Sequence, residues 1–401
     1  MLTFLAVTFG KIARFLIRLV RPGGGSALPG VIAGAIQPKL LKSAIDRVPL
    51  GLVVVSGSAG KSSTTSYLVA LLQAHGLKVF TNTSTANIRQ GLVSAVLSEC
   101  DFTGKIDYDI AVLEWDEGHG AALVSELSPR LAVLTNVYSD QLDRFVDPDL
   151  VIKMLTTIGN HANSVLINAE DNNLTQIDFN SKVICFGAEP DAFPASEFTY
   201  ALNFGSVVKP AANVQAGIEQ VLVKANGVSK TFATKNLGSH QALNLAAAVA
   251  AVYELIEPRD DLVQGVLSNL KPVFARNEEV ELQGRNLTLR LVQNPTSFQK
   301  NLNELLGNES PLMLMAGRDI HDPSWLWTVD FSGLNKVDIV GGYNAADLAL
   351  RLKFQNIPVG KVVSDATEAA DQFMEVAGPN PTVLFSADAM RRVRRHWGLA
   401  K

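Results

Sequence analysis

The chain has 401 residues, 47% of them hydrophobic, and a formal net charge of −4. That length exceeds one ordinary core, so two or three domains are expected, and the apolar content argues against disorder. The mildly acidic balance offers no broad basic surface for nucleic acid, and two cysteines, Cys100 and Cys185, exclude a disulfide scaffold and a four-cysteine zinc site and suit a reducing, cytoplasmic setting.

Met1 to Val20 is apolar but carries Lys11, Arg14 and Arg18. Its uncharged stretches are too short to span a bilayer, and no small-residue cleavage site follows. Two readings stay open: a helix packed on the body of the protein, which is favoured, and an amphipathic helix lying on an anionic membrane face. Arg21-Pro-Gly-Gly-Gly-Ser-Ala-Leu-Pro-Gly30 reads as a turn-rich link.

Leu52-Val-Val-Val-Ser-Gly-Ser-Ala-Gly-Lys-Ser-Ser-Thr-Thr65 is the stretch around which the rest of the chain is organised. The apolar run predicts a buried parallel strand, and Leu68, Leu71 and Leu72 predict a helix after Lys61. Gly57 and Gly60 allow a tight turn between them. Such a turn aims backbone N–H groups and the positive end of a helix dipole at one point, which suits a phosphate. Lys61 would neutralise outer phosphate oxygens and Ser62 would offer a hydroxyl to Mg²⁺. The common phosphate-loop spacing would need a glycine at position 55, where valine stands, so the shorter Gly-x-x-Gly-Lys-Ser is the pattern present.

Lys78–Asn82 predicts a second strand, and Asn87 precedes a helix over Ile88–Leu97. Asp109–Glu114 and Arg130–Asn136 predict further buried strands. Strands alternating with helices make a parallel, doubly wound sheet, and ligands bind beyond the carboxyl ends of its strands. Ser56, Glu114 and Asn136 fall at such ends. Glu114, on the same edge as the glycine turn, is the candidate Mg²⁺ carboxylate opposite Ser62; a solvated acidic turn is the alternative. Asp140 and Asp143 could add carboxylates or simply cap a helix. Residues 164–186 read as two strands around Asp171, and Phe193–Phe232 as short antiparallel strands. His240 and Asn244 share one face of an alanine-rich helix. Arg276 is a candidate phosphate clamp, with a surface ion pair to Glu278 as the alternative. From Glu279 onward strands and helices alternate again, without a glycine fingerprint. In that part, Gly317-Arg-Asp-Ile-His-Asp-Pro-Ser-Trp-Leu-Trp327 reads as an interface or binding loop, or as a loop packed by its two Trp.

The turn Gly57-Ser-Ala-Gly-Lys-Ser-Ser-Thr64 resembles that of the Mur ligases, normally Gly-Thr-x-Gly-Lys-Thr. Asn87, Val112-Leu-Glu-Trp-Asp-Glu117, Asn136-Val-Tyr-Ser-Asp-Gln-Leu-Asp143, Phe274-Ala-Arg-Asn-Glu278, the Arg21–Gly30 stretch and Asp322-Pro-Ser-Trp-Leu-Trp327 resemble the MurT branch of that family. The likeness spans nearly the whole chain, and the Ser-Trp-Leu-Trp loop is its most discriminating part. It departs from the pattern in lacking the zinc ribbon's cysteines, and at Ser58, Ser62, Gln241, Gln293 and Thr328.

The resemblance implies an N-terminal helical segment over 1–48, a Mur ligase-like central ATP-binding domain over 49–278, and a smaller Rossmann-like α/β domain over 279–401 that faces a glutaminase. It implies ATP held by Gly57, Ser58, Ala59, Gly60, Lys61, Ser62, Ser63 and Asn87, with Asn244 near the base and Arg276 near the phosphates. Mg²⁺ would sit between Ser62 and Glu114, with no zinc site. The implied reaction amidates the α-carboxylate of D-glutamate in the lipid II stem peptide, through an acyl phosphate. Ammonia would come from a GatD-type glutaminase in a heterodimer, to whose catalytic triad Asp322 (or else Asp319) would be lent. The setting implied is cytoplasmic, with the lipid II substrate at the inner membrane face and peripheral attachment of the protein there left open. Another ATP-dependent amide ligase of the same fold, or a nucleotide-binding subunit without chemistry, are the competing readings.

Overall fold

The computed structural model describes the chain except for residues 21–26, 83–87, 139–147, 195–208, 226, 271–275, 293–294, 306–309, 321 and 400–401. The described residues form two compact units, the first ending at Leu270 and the second occupying the rest of the chain.

In the first unit the strands are β1 (Leu52–Ser56), β2 (Val79–Thr81), β3 (Ile110–Glu114), β4 (Leu131–Leu134), β5 (Ser164–Asn168), β6 (Lys182–Ala188), β7 (Val214–Ala216), β8 (Gln220–Ala225) and β9 (Val228–Ala233). They form one sheet in the order β2-β3-β1-β4-β5-β6-β7-β8-β9. The strands from β2 across to β7 pair in parallel; β8 and β9 continue the edge as an antiparallel hairpin. Every residue of β1, β3, β4 and β5 is buried. Continuous apolar runs of this kind are what a sheet covered on both faces requires.

The chain leaves β1 for β2 on one side and later crosses to β4 on the other, so β1 sits at a topological switch. Pairing aligns Val55 with Glu114 and Ser56 with Leu134, which brings the ends of three strands level. A crevice at such a point is where open α/β sheets bind ligands. The helix Lys61–Ala74 packs on the helix Ser239–Leu255, whose Ala246–Ala251 stretch is buried. Methyl-sized side chains let the two axes approach closely.

The turn-rich link expected over 21–30 ends earlier than that reading has it. A helix begins at Leu28 and runs to Ile36, with proline in its first turn, where a missing N–H costs nothing. Gly30 lies where this helix crosses another: a Cβ there would stand 1.9 Å from the Gln90 carbonyl oxygen, and the Gly30 N–H donates to Ser94 Oγ at 2.8 Å. No described helix is long and apolar enough to cross a membrane.

The second unit holds β10 (Arg276–Leu282), β11 (Arg285–Leu291), β12 (Leu312–Met315), β13 (Val337–Gly341), β14 (Val359–Val363) and β15 (Thr382–Phe385), in the order β10-β11-β15-β12-β13-β14. The pairings are parallel except for the hairpin β10–β11. Gln283 and Gly284 both have positive φ in that two-residue turn (51° and 73°), as a tight hairpin matched to strand twist requires. Strand β10 runs across position 278/279, the boundary expected from sequence, and places Arg276 and Glu278 in the second sheet.

Candidate functional site

At the end of β1 the chain bends through Gly57 (φ 129°) and Gly60 (φ 84°) into the helix that starts at Lys61. A Cβ on Gly57 would meet Thr135 Oγ1 at 2.3 Å and the Asn136 backbone at 3.0 Å. One on Gly60 would meet Asn244 Oδ1 at 2.2 Å. Both glycines are therefore required by conformation and by space. The segment after β4 holds the bend in shape. Ser58 N–H donates to the Asn136 carbonyl at 2.9 Å, Ala59 N–H donates to Asn136 Oδ1 at 2.8 Å, and Thr135 Oγ1 donates to the Ala59 carbonyl at 2.7 Å. Tyr138 N–H donates to Ser58 Oγ at 3.0 Å. No side chain caps the helix at Gly60, so its first turn presents its amides toward the crevice, the arrangement that receives an anion.

Lys61 folds back over the bend. Its Nζ donates to the Gly57 carbonyl, to the Ser58 carbonyl at 3.3 Å, and to Glu117 Oε1 at 2.8 Å. Glu117 is 1% exposed and its other oxygen, Oε2, is buried without a hydrogen-bond partner. Glu117 is the first residue of a helix capped by Asp116, which accepts from His119 N–H, so the positive helix end also faces this carboxylate. Glu114 ends β3 nearby in sequence and is buried. Its backbone exchanges two hydrogen bonds with the Asn82 side chain, at 2.8 and 3.0 Å.

A buried carboxylate oxygen without a partner, a second buried carboxylate and the Ser62 hydroxyl at the helix start are hard oxygen donors. They fit Mg²⁺, which takes one or two carboxylates and fills the rest of its shell with water and phosphate. Among the described residues no cluster of three or more His, Cys, Asp or Glu could hold a metal alone.

The sequence singled out Glu114; the structure adds Glu117 as the carboxylate that meets Lys61. It adds Asn136 and Thr135 as the residues that fix the bend. A readable signal for Glu117 was present: Asp116 as a cap predicts a helix starting at the next residue. Asn244 (9% exposed) lies against Gly60, with Thr64 Oγ1 donating to its Oδ1 at 3.4 Å, so its side chain is engaged at the phosphate end of the bend. Gln241 accepts from Tyr67 Oη at 2.7 Å and ties the two helices together. His240 Nδ1 and Tyr138 Oη are 3.2 Å apart. Asp171, fully buried, accepts from Val137 N–H at 2.6 Å and Asn173 N–H at 2.9 Å; burial pushes its carboxyl up to about 7 despite those donors. Asn87, Asp140, Asp143 and the Arg276 side chain lie outside the described residues.

In the second unit Asp322 is exposed and caps the short 3₁₀ helix Pro323–Thr328 by accepting from Ser324 N–H at 2.9 Å. Its hydrogen bonds with Ser324 hold its carboxyl below the usual range. Asp319 is occupied differently: Ser386 Oγ (2.6 Å) and Ala387 N–H (2.8 Å) both donate to it. Trp327 and Phe354 are exposed and meet edge to face at 5.1 Å, with the Arg351 guanidinium 5.6 Å over the Trp327 ring.

Residues 55–252 match the Mur ligase middle domain, and residues 291–387 match the MurT ligase C-terminal domain. The chain is 26% identical to the MurT subunit of lipid II isoglutaminyl synthase from Staphylococcus aureus (strain COL), covering 94% of this chain and 95% of that one. It is 25% identical to the Streptococcus pneumoniae MurT subunit, covering 90% and 88%. Among solved structures, the MurF ligase of Thermotoga maritima in complex with ADP superposes with a TM-score of 0.66 at 20% identity, covering 92% of this chain and 83% of that one. FolC of E. coli in complex with DHPP and ADP does so with a TM-score of 0.62 at 14% identity, covering 89% and 91%. The chain belongs to the Mur ligase family, in the branch that carries the MurT type of C-terminal domain.

Proposed function

We propose that the chain is the synthetase subunit of an ATP-dependent amidating ligase that converts the α-carboxylate of the lipid II D-glutamate to isoglutamine. What carries the reading is the bend Gly57–Ser63 with Lys61 beside a buried carboxylate, in a chain similar to MurT subunits over nearly its whole length.

A carboxylate cannot accept ammonia directly, because oxide would have to leave. In the proposed reaction a carboxylate oxygen attacks the γ-phosphorus, ADP departs, and an acyl phosphate forms. Ammonia then attacks the acyl carbon, phosphate leaves, and the nitrogen loses a proton to give the amide. The first-turn amides of the Lys61 helix receive the phosphates. Lys61 exchanges its bonds to Glu117 and the bend carbonyls for phosphoryl oxygens, where charge develops. A bound Mg²⁺, held by Ser62, Glu114 and Glu117, would neutralise phosphate charge. Asn136 keeps Ser58 and Ala59 in place, so the bend is formed before substrate arrives. Asn87 completes the nucleotide site in this reading.

Neither cysteine suits a glutaminase nucleophile: both are buried, and burial raises both thiols, Cys185 to about 11. Ammonia in this reading comes from a GatD-type partner that docks on the second unit. The exposed Trp327–Phe354 pair beside the Asp322 loop has the aromatic character of an interface core. Asp322, ionised and exposed, is available to orient a partner histidine, whereas both Asp319 oxygens already accept hydrogen bonds. With a lipid-linked substrate, the enzyme works at the inner membrane face.

The test is ADP release and substrate mass when the full chain, ATP and Mg²⁺ are given lipid II and ammonium. A hydroxyl-to-amino mass change at the glutamate supports the reading. Turnover with an amino acid but not with ammonium overturns it.

A further inference from the structure

The helix Leu2–Val20 is built inside out. Its inward face is made of small residues: Ala6, Val7 and Gly10 are buried. A Cβ on Gly10 would lie 2.7 Å from Leu97 and 3.2 Å from Ala33, so the helix sits tightly on its neighbours. Its large apolar side chains point the other way. Phe4, Phe9, Ile12, Phe15, Leu16 and Leu19 are each between 49% and 65% exposed. At the 3.6-residue period these six fall within one continuous arc of the helix, interrupted only by Leu5 and Thr8. Phe102 joins the face, its ring 5.6 Å from that of Phe4, and is itself half exposed.

The helix and the segment after it carry charge of one sign, although Glu99 and Asp101 lie just before Phe102 in the chain. Residues 1–45 contain six Lys or Arg and no Asp or Glu, in a chain whose overall charge is −4. By the helical period positions 11 and 18 fall along one edge of the apolar arc, while Arg14 falls on the inward side, between Gly10 and Val7. Lys11 Nζ stands 5.2 Å over the Phe102 ring at that edge and donates to the Cys100 carbonyl at 2.6 Å.

A face of phenylalanine and leucine left in water is costly, and a contiguous one marks a docking surface. We infer that this helix docks in the plane of an anionic lipid bilayer, apolar face down, with the basic edge at the headgroups. Length and composition exclude a span, and an apolar arc with a cationic margin is what an interfacial helix needs. The uniformly positive segment selects a lipid surface over a second copy of the chain, because two such helices facing each other would bring like charges together. Exposure and charge carry this inference independently of the ligase chemistry, and membrane docking would place the body of the first unit against the bilayer.

The experiment uses the full-length chain with vesicles of equal parts phosphatidylglycerol and phosphatidylcholine, and with phosphatidylcholine alone. Flotation should show binding to the anionic vesicles, weaker by about tenfold or more on neutral vesicles or in high salt. I12D/L16D alters exposed positions only and should lose binding by about tenfold or more, with thermal unfolding and ADP binding unchanged. A second measurement does not depend on that variant. Cys100 and Cys185 are buried, so a Phe15→Cys chain can carry a single environment-sensitive dye on the apolar arc. The dye should shift to the blue on anionic vesicles and be quenched by brominated acyl chains. The inference is overturned if the dye stays in water on vesicles, or if I12D/L16D binds them undiminished. It is equally overturned if light scattering shows a dimer that I12D/L16D dissociates while no vesicle binding occurs.

Discussion

Replacing Lys61 with alanine removes the cation that faces Glu117 across 2.8 Å. Lys61 is 13% exposed and Glu117 1%, so the pair is largely shielded from water. Breaking a buried pair by deleting one partner costs about 3–5 kcal/mol. The helix start at Glu117 returns part of that, up to about 2 kcal/mol in a favourable partly buried geometry. A net loss of about 2–4 kcal/mol is expected, which at 2–4 °C per kcal/mol for a unit of this size lowers the unfolding midpoint by roughly 5–15 °C. Lys61→Ala alone therefore confounds stability with chemistry. Adding Glu117→Gln separates them, because the amide carries no charge to strand. The double variant should regain about 2–3 kcal/mol over Lys61→Ala, a coupling visible in a double-mutant cycle. Turnover should stay down by about a hundredfold or more in both, since neither supplies a cation to the phosphoryl group. Calorimetry without nucleotide, with ADP release on the same samples, measures both. If the double variant is no more stable than Lys61→Ala, the buried pair is not the source of the loss and the reasoning fails.

Gly57→Ala forces a side chain into a positive-φ bend and against Thr135 Oγ1 at 2.3 Å. It should cost about 2–5 kcal/mol, read from the urea midpoint, and a change below about 1 kcal/mol would mean the bend is not held as described. Asp322→Asn should abolish glutamine-dependent amidation by the co-purified complex and leave the ammonium-driven reaction intact; unaltered glutamine use removes Asp322 from the interface. Asp171 adds a pH dependence of known sign. Its folded carboxyl titrates at about 7 against an ordinary 3.8, so between those values the folded state holds a proton that the unfolded state has released. Its stability contribution is complete below pH 3.8 and is lost as pH rises to about 7, by up to about 1.4 kcal/mol per pH unit. Asp171→Asn should flatten that stretch of the stability profile, and an unchanged slope would assign it to other groups.

Local pattern is most informative where function depends on neighbours along the chain. The apolar run from Leu52 to Val55 announces a buried parallel strand because a sheet covered on both faces needs one. The Gly57–Ser63 bend is legible because only small residues allow the backbone to turn there and Lys61 follows at once. The cysteine count excluded a four-cysteine metal site by arithmetic.

What needed the tertiary structure were pairings between distant segments. Whether Glu114 or Glu117 meets Lys61 depends on β3 lying beside β1 in the register Val55 to Glu114, and on the helix that Asp116 starts. Asn136 becomes the clamp of the bend only because β4 flanks β1 on the other side, aligning Ser56 with Leu134. Helical periodicity sorts the first twenty residues into faces, but it does not say which face turns inward. Gly10 and Ala6 settle that: both are small enough for the inward face, where Gly10 fits against Leu97 and Ala33 and phenylalanine would not, and so the bulky face is left outside. Strand order, register and close contact are long-range steric facts; propensity and spacing along the chain act over a few residues and do not reach them.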